Sequence, residues 1–192
     1  ILLMCILLLG LISLTTMYST DGGKLLFHTK SHFFKFIIFT LMMLIISFFN
    51  IRFWFSIGYL SYVAIVGMLI WTIHFGITAS GSQRWMDLYF LNIQPSELMK
   101  IFILLCLAKF FHRKRLENVN SFYSVIISTI IIFLPMSLVI IQPDLGTSIL
   151  ISISGILVMW FAGLNHKYFF YSCLISIISL PFIISFLQPY QK

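Results

Sequence analysis

Gly81-Ser82-Gln83-Arg84-Trp85, followed by Gln94-Pro95-Ser96-Glu97-Leu98-Met99-Lys100, is the stretch whose reading decides the fold. It sets an arginine, a glutamate and a lysine at the mouth of, and inside, an otherwise apolar helix of membrane length. An ionisable group at that depth is expensive and persists where it faces a partner, a cavity or a substrate. Glu97 and Lys100 stand three residues apart, so a helix projects both from one face.

The surrounding composition names the solvent. The chain is 60% hydrophobic and 9% charged, against roughly 25% charged residues in an ordinary soluble domain. Its mean hydropathy is +1.06. A water-soluble core cannot absorb that much apolar surface, so lipid must. The net charge of +7 reflects scarce acids, of which Asp21, Asp87, Glu97, Glu117 and Asp144 are all. No broad basic face of the kind that binds nucleic acid is present, so nucleic acid is excluded as a partner. Contact with membrane lipids or an anionic lipid substrate fits better. Cys5, Cys106 and Cys173 sit in apolar runs without metal-type spacing and read as packing or lipid-facing residues.

Hydropathy predicts an all-α, polytopic membrane bundle of about seven helices, each long enough to cross the hydrocarbon. The predicted spans are residues 1–19, 35–50, 53–77, 95–111, 122–141, 145–164 and 168–188. The joints between them are short and polar, including Ala79 to Asn92 and His112 to Asn120. None holds a soluble domain, so residues 1–192 read as one transmembrane domain. A signal-peptide core is the rival reading of the first stretch; its length and the absence of a small-residue cleavage site favour a span.

Positive residues set orientation. Lys109, His112, Arg113, Lys114 and Arg115 form the densest cluster, which places that joint in the cytoplasm and the joint of Arg84 outside. Lys24, Lys30 and Lys35 run against this bias. On the outer side, Gln94-Pro95-Ser96-Glu97 and Gln142-Pro143-Asp144 each look like a helix start. Proline suits the first helical position, and an acid there complements the helix dipole. Two helix N-termini converging with Arg84 and Lys100 would suit a phosphate-bearing lipid.

These residues carry a family resemblance. Gly81-x-Gln83-Arg84-Trp85-x-Asp87-Leu88, then Gln94-Pro95-Ser96-Glu97-x-x-Lys100, then Gln142-Pro143-Asp144-Leu145-Gly146-Thr147-Ser148, resemble the SEDS family (shape, elongation, division, sporulation). Tyr18-Ser19, Leu145, Ser154-Gly155 and Ala162-Gly163-Leu164 look like its RodA branch. The resemblance runs over nearly the whole chain. It implies a membrane enzyme of about ten spans in the bacterial cytoplasmic (inner) membrane. Such enzymes polymerise lipid II, a disaccharide-pentapeptide on undecaprenyl pyrophosphate, into peptidoglycan during cell elongation and shape control. They work beside a class B penicillin-binding protein that crosslinks the strands. In the family the catalytic aspartate lies in a large external loop after the seventh span, beyond Lys192 here. The chain is therefore expected to be an N-terminal portion, inactive on its own.

The candidate substrate-binding or structural residues are Arg84, Trp85, Gln94, Glu97, Lys100, Gln142 and Asp144. Trp85 suits either an aromatic belt at the membrane interface or a substrate groove. Glu97 and Lys100 suit either a structural ion pair or a substrate contact. Asp144 is either held by the helix dipole or poised for Arg84 or Lys100. His74, alone in an apolar span, reads as a core histidine. No metal constellation, phosphate-cradling glycine loop or nucleophile–base pair is visible. No cofactor is expected, although the sequence leaves a divalent cation open. Two further functions stay open beside glycosyl transfer: a transporter or flippase for lipid-linked precursors, and a non-catalytic partner-binding fragment.

Overall fold

The computed structural model describes residues 1–24, 26–79, 82–87 and 92–171. It divides into two compact units, Ile1–Phe53 and a second beginning at Trp54.

The first unit is a helical hairpin of α1 (Leu2–Thr20) and α2 (Phe27–Ser47). The turn between them passes through Gly22 and Gly23 at φ 71 and 75, a left-handed conformation that glycine adopts without a Cβ penalty. Leu26 occupies the N-cap position of α2 and offers no capping side chain. Asp21 takes over that role from across the turn. Its Oδ2 accepts from the Thr29 N–H at 3.0 Å and from Thr29 Oγ1 at 2.6 Å. The Thr29 hydroxyl bond, then its amide bond, hold the Asp21 carboxyl below the usual carboxylate range. Farther along, Ser13 Oγ and His32 Nε2 meet at 2.9 Å. With its N-terminus capped this way, α2 starts inside the stretch read as a joint and carries Lys30 and Lys35 as helical residues.

The second unit runs through α3 (Ile51–Phe75), β1 (Ile77–Ala79), β2 (Ser82–Asp87), β3 (Asn92–Ile93) and α4 (Pro95–His112). The short α5 (Leu116–Val119), α6 (Phe122–Ile141) and α7 (Leu145–Phe161) follow. The three strands form an antiparallel sheet in the order β1-β2-β3, where the sequence suggests only a polar joint. Pairing of Ile77 with Trp85 and of Met86 with Ile93 fixes its register. The sheet satisfies backbone groups that a bare loop at a membrane surface would leave to water. Helices still dominate, as expected. The predicted seventh span lies almost wholly outside the described residues, although residues 166–171 are helical.

α4 is the hub. Ser96, Met99, Ile103 and Cys106 are buried at alternating three- and four-residue spacing, with Leu107 four residues on from Ile103, which is one stripe of a helix. That stripe meets α6 and α7. Helices in lipid gain nothing from hiding apolar surface from one another, so close contact depends on small residues. Gly155 on α7 shows this: a Cβ there would lie 2.5 Å from Ile132 Cγ1 on α6, closer than two carbons can stand.

A proline inside α6 explains a second contact. Pro135 lacks an N–H, so the carbonyl of Ile131, four residues earlier, loses its helical donor. Tyr62 on α3 supplies one, its hydroxyl donating to Ile131 O at 2.9 Å. The sequence places Tyr62 and Pro135 in separate spans, and their pairing exists only in the packed bundle.

Most large side chains of α1, α2 and α3 face outward. Among the described residues four helices, α1, α2, α3 and α6, are long and apolar enough to cross a membrane. In lipid this outward greasiness is satisfied, and helices leave no backbone group unpaired. Cys5 is exposed and Cys106 buried, as their apolar settings suggest; Cys173 lies outside the described residues. His74 departs from its expected place. It is exposed on the last turn of α3, where a polar ring at a helix end reaches the interface more cheaply than it enters a core.

Candidate functional site

The polar site sits at the sheet end of the second unit and grows from two helix starts. Pro95 occupies the first turn of α4, with Glu97 in the same turn and Gln94 as N-cap, as its sequence suggests. α7 begins differently. Its N-cap is Asp144 and its first residue Leu145, so Pro143 lies outside the helix. That corrects the expectation that both prolines open their helices. The reason is local: Asp144 Oδ1 accepts from the Thr147 N–H at 3.2 Å, and Thr147 Oγ1 donates to Oδ2 at 2.9 Å. A carboxylate cap settles where the helix starts.

The same carboxylate gathers the rest. Gln94 Nε2 donates to Asp144 Oδ2 at 3.0 Å and lies 3.0 Å from Ser96 Oγ. One side chain thus ties the N-termini of α4 and α7 together. Arg84, projected by β2, donates from Nη2 to the Pro143 carbonyl at 2.7 Å, while its Nη1 stands 3.7 Å from Asp144 Oδ2. Gln142 is buried and donates to the Leu69 carbonyl of α3 at 3.0 Å. Below it, Gln83 donates to Gly76 O at 2.7 Å and folds β2 back over the end of α3.

Four of the seven candidates are thereby brought together: Arg84, Gln94, Gln142 and Asp144. Trp85 is not among them. Trp85 is paired in register with Ile77 of β1, and the register shifts beside it at Arg84. Glu97 and Lys100 form their own ion pair at 2.8 Å along α4. Glu97 is 54% exposed, so this pair is open rather than locked between helices. Arg84 and Asp144 are more enclosed, at 27% and 9%. Thr147 and Ser96 were not singled out from the sequence. The spacing Asp144-x-x-Thr147 was the available signal, since an N-cap side chain reaches the amide three residues on.

The charge balance of this cluster limits what it can do unaided. Asp144 already occupies the positive end of the α7 dipole, and each cation has a carboxylate beside it. The positions left over are one donor and one acceptor. Arg84 Nε and Gln142 Oε1 are buried without a hydrogen-bond partner among the described residues. Buried polar atoms are paired as a rule, so these two are the atoms of the cluster with hydrogen-bonding capacity to spare. No group of three or more metal-binding side chains occurs among the described residues.

Comparison with known proteins agrees with this architecture. Residues 1–192 match the FtsW/RodA/SpoVE family, described as "Cell cycle protein". The chain is 35% identical over 136 residues to the peptidoglycan glycosyltransferase MrdB of Escherichia coli (strain K12), covering 68% of this chain and 35% of that protein. It is 28% identical over 192 residues to the probable peptidoglycan glycosyltransferase FtsW of Buchnera aphidicola subsp. Baizongia pistaciae, covering 98% of this chain and 50% of that protein. The chain thus spans half the length or less of these relatives. Among solved structures it superimposes on the Thermus thermophilus rod shape determining protein RodA with a TM-score of 0.64 at 24% identity, over 74% of this chain and 46% of that one. A structure titled for a peptidoglycan synthase complex that coordinates polymerization and crosslinking gives 0.77 at 23% identity, over 99% of this chain and 55% of that one.

Proposed function

The chain belongs to the FtsW/RodA/SpoVE family, a multi-pass protein of the bacterial inner membrane, and from that premise we propose that it serves a peptidoglycan glycosyltransferase of the RodA branch, which polymerises lipid II in cell elongation. The observation that carries this reading is the Gln94–Asp144 bond. It draws two helix N-termini under Arg84 on the side that positive-residue bias makes external, where a pyrophosphate-linked sugar would be presented.

The chemistry assigned to this cluster is positioning and charge compensation. A phosphate oxygen meeting Arg84 forms a hydrogen bond in which both partners are charged, stronger than the one the guanidinium now makes to the uncharged Pro143 carbonyl. The free Nε adds a second donor in the same plane. The helix N-termini supply positive potential around it. Gln142 Oε1 offers an acceptor for a sugar hydroxyl or amide of the substrate.

Asp21, Glu97 and Asp144 are not placed as ready general bases, and Asp87 is not a catalytic position in the family this chain resembles. Asp144 is a cap and ion-pair partner, Glu97 is paired with Lys100, and Asp21 is bound to Thr29. Each of these carboxylates is committed to a partner within the chain rather than open to an acceptor hydroxyl. We therefore expect the 192 residues alone to bind lipid II without polymerising it. A crosslinking class B penicillin-binding protein is the partner this reading assigns.

The test is binding of labelled lipid II by the purified chain in detergent micelles. Arg84→Ala should weaken it by about tenfold, the worth of one charge-assisted hydrogen bond, and polymer should be absent in every sample. Equal binding by wild type and Arg84→Ala would refute the site. Glycan product from the chain alone would refute the assignment of its carboxylates.

A further inference from the structure

The opposite end of the second unit holds a second polar centre, made of unpaired positive charge over a greasy floor. A cavity of about 330 Å³ opens there between α4 and α7, lined by Ala108, Phe111, His112, Lys114, Val158 and Phe161 among others. Its floor is apolar, and Phe161 at its edge is 83% exposed. Its rim is basic. Lys114 is held in place by a hydrogen bond to Ser124 Oγ and lies over the rings of Phe110 and Tyr123, 4.5 and 5.2 Å from their centres.

Tertiary contacts bring a second joint to the same rim. Asn120 Oδ1 accepts from the Asn165 N–H at 2.7 Å, and Asn120 Nδ2 reaches Gly163 O at 3.4 Å. The joint after α7, with His166 and Lys167, is thereby fastened to the joint after α4. The two joints together carry Arg113, Lys114, Arg115 and Lys167 against one acid, Glu117. Arg113 and Lys167 are exposed and make no side-chain hydrogen bond or ion pair among the described residues. Lys109 adds a buried charge behind them, bonded to Ser56 O and 4.7 Å from the Tyr59 ring centre.

We propose that the α4–α7 groove is a binding site for an anionic diacyl phospholipid of the leaflet on this side, with its phosphate at Arg113, Lys114 and Lys167 and an acyl chain along Phe111, Val158 and Phe161. Charge complementarity selects an anion, and basic pockets between membrane helices are suited to phosphate headgroups. The apolar floor selects a lipid over an acidic protein. The joints are too short to project a protein-docking face beyond the headgroup layer, whereas the groove opens between the last turns of two apolar helices. The cations also have reason to stay beside two helix C-termini, which are negative ends, so they form a standing headgroup clamp. The site is separate from the Arg84 cluster and does not depend on the reading of that cluster.

The test reconstitutes the whole 192-residue chain in phosphatidylcholine nanodiscs. Phosphatidylglycerol or phosphatidylcholine bearing a photoactivatable group on one acyl chain is added as probe, and labelled peptides are mapped by mass spectrometry. The phosphatidylglycerol probe should label peptides containing Phe111 and Phe161 preferentially, and unlabelled phosphatidylglycerol should compete it away. Arg113→Gln and Lys167→Gln should each reduce labelling about fivefold, the contribution of one basic residue near a lipid surface. Val158→Trp fills the groove without changing charge and should abolish labelling there. Uniform labelling of all outward-facing helices would overturn the proposal, as would equal labelling by phosphatidylcholine or indifference to these variants. Displacement of the probe by soluble polyglutamate but not by phosphatidylglycerol would overturn it in favour of an acidic protein partner.

Discussion

Replacing Tyr62 with phenylalanine removes one hydroxyl and leaves the shape of the bundle unchanged. In the wild-type protein that hydroxyl donates to Ile131 O at 2.9 Å, a carbonyl orphaned because Pro135 has no N–H to give it. Losing the donor leaves a buried carbonyl unsatisfied, which costs about 1–3 kcal/mol. Interhelical hydrogen bonds in membranes average about 0.6 and reach about 1.7 kcal/mol. Tyr62 sits near the top of that range, since no other donor for Ile131 O exists within α6, and a cost of about 1.5 kcal/mol is expected. Equilibrium unfolding in mixed micelles of mild detergent and dodecyl sulfate measures it. The decisive comparison is the same substitution in a Pro135→Ala background. Alanine restores an N–H for Ile131 O, so Tyr62→Phe should then cost less than about 0.5 kcal/mol. An equal cost in both backgrounds would show that Tyr62 stabilises the bundle through packing alone, and the orphaned-carbonyl argument would fall.

Three further outcomes follow from the same geometry. Gly155→Ala should destabilise by about 1–3 kcal/mol, the usual result of overpacking, because its methyl would stand 2.5 Å from Ile132 Cγ1; unfolding of Gly155→Ala with and without Ile132→Ala checks it, and the smaller partner should relieve most of the loss. Asp144→Asn should keep the α7 cap but lose the charge facing Arg84, so it should destabilise less than Asp144→Ala, which loses the cap as well, worth about 1 kcal/mol; identical melting of the two variants would remove capping from the account. The Asp21 carboxyl is held below its ordinary value of 3.8 by Thr29, so its link to α2 is fully present above that value and is lost as pH falls through the lowered folded value; protection of the Thr29 amide, its exchange rate taken relative to the intrinsic rate at the same pH, should therefore hold above about pH 4 and fall in acid, and Asp21→Asn should flatten that profile.

The resemblance and the site were both legible in short motifs, for reasons the structure makes physical. Gln94 and Asp144 stand at helix starts because capping chemistry is local, and local chemistry is written in consecutive residues. The pairing of Glu97 with Lys100 was legible too, since helical spacing alone sets it. The strand that carries Arg84 and Trp85 was not foreseen, because its pairing with Ile77 joins residues whose alternation is too short to read in the sequence. Pro143 was taken for a first helical residue because Gln-Pro recurs at position 94, but the carboxylate after it captured the cap.

By itself the sequence determined that the chain lives in lipid, that it is helical, and where α1, α3, α4, α6 and α7 begin and end to within a few residues, whereas α2 begins eight residues ahead of its predicted span. Those properties follow from transfer of side chains out of water and from hydrogen bonds closed within a single segment. Only the tertiary structure decided that Arg84 reaches Pro143 and Asp144, that Gln94 joins α4 to α7, that Tyr62 repairs the gap left by Pro135, and that Asn120 gathers two basic joints onto one rim. In each of these the partner lies some 45 to 69 residues away. A polar group buried in a bundle must find whichever partner the packing brings within about 3 Å, and that choice belongs to the packed helices together.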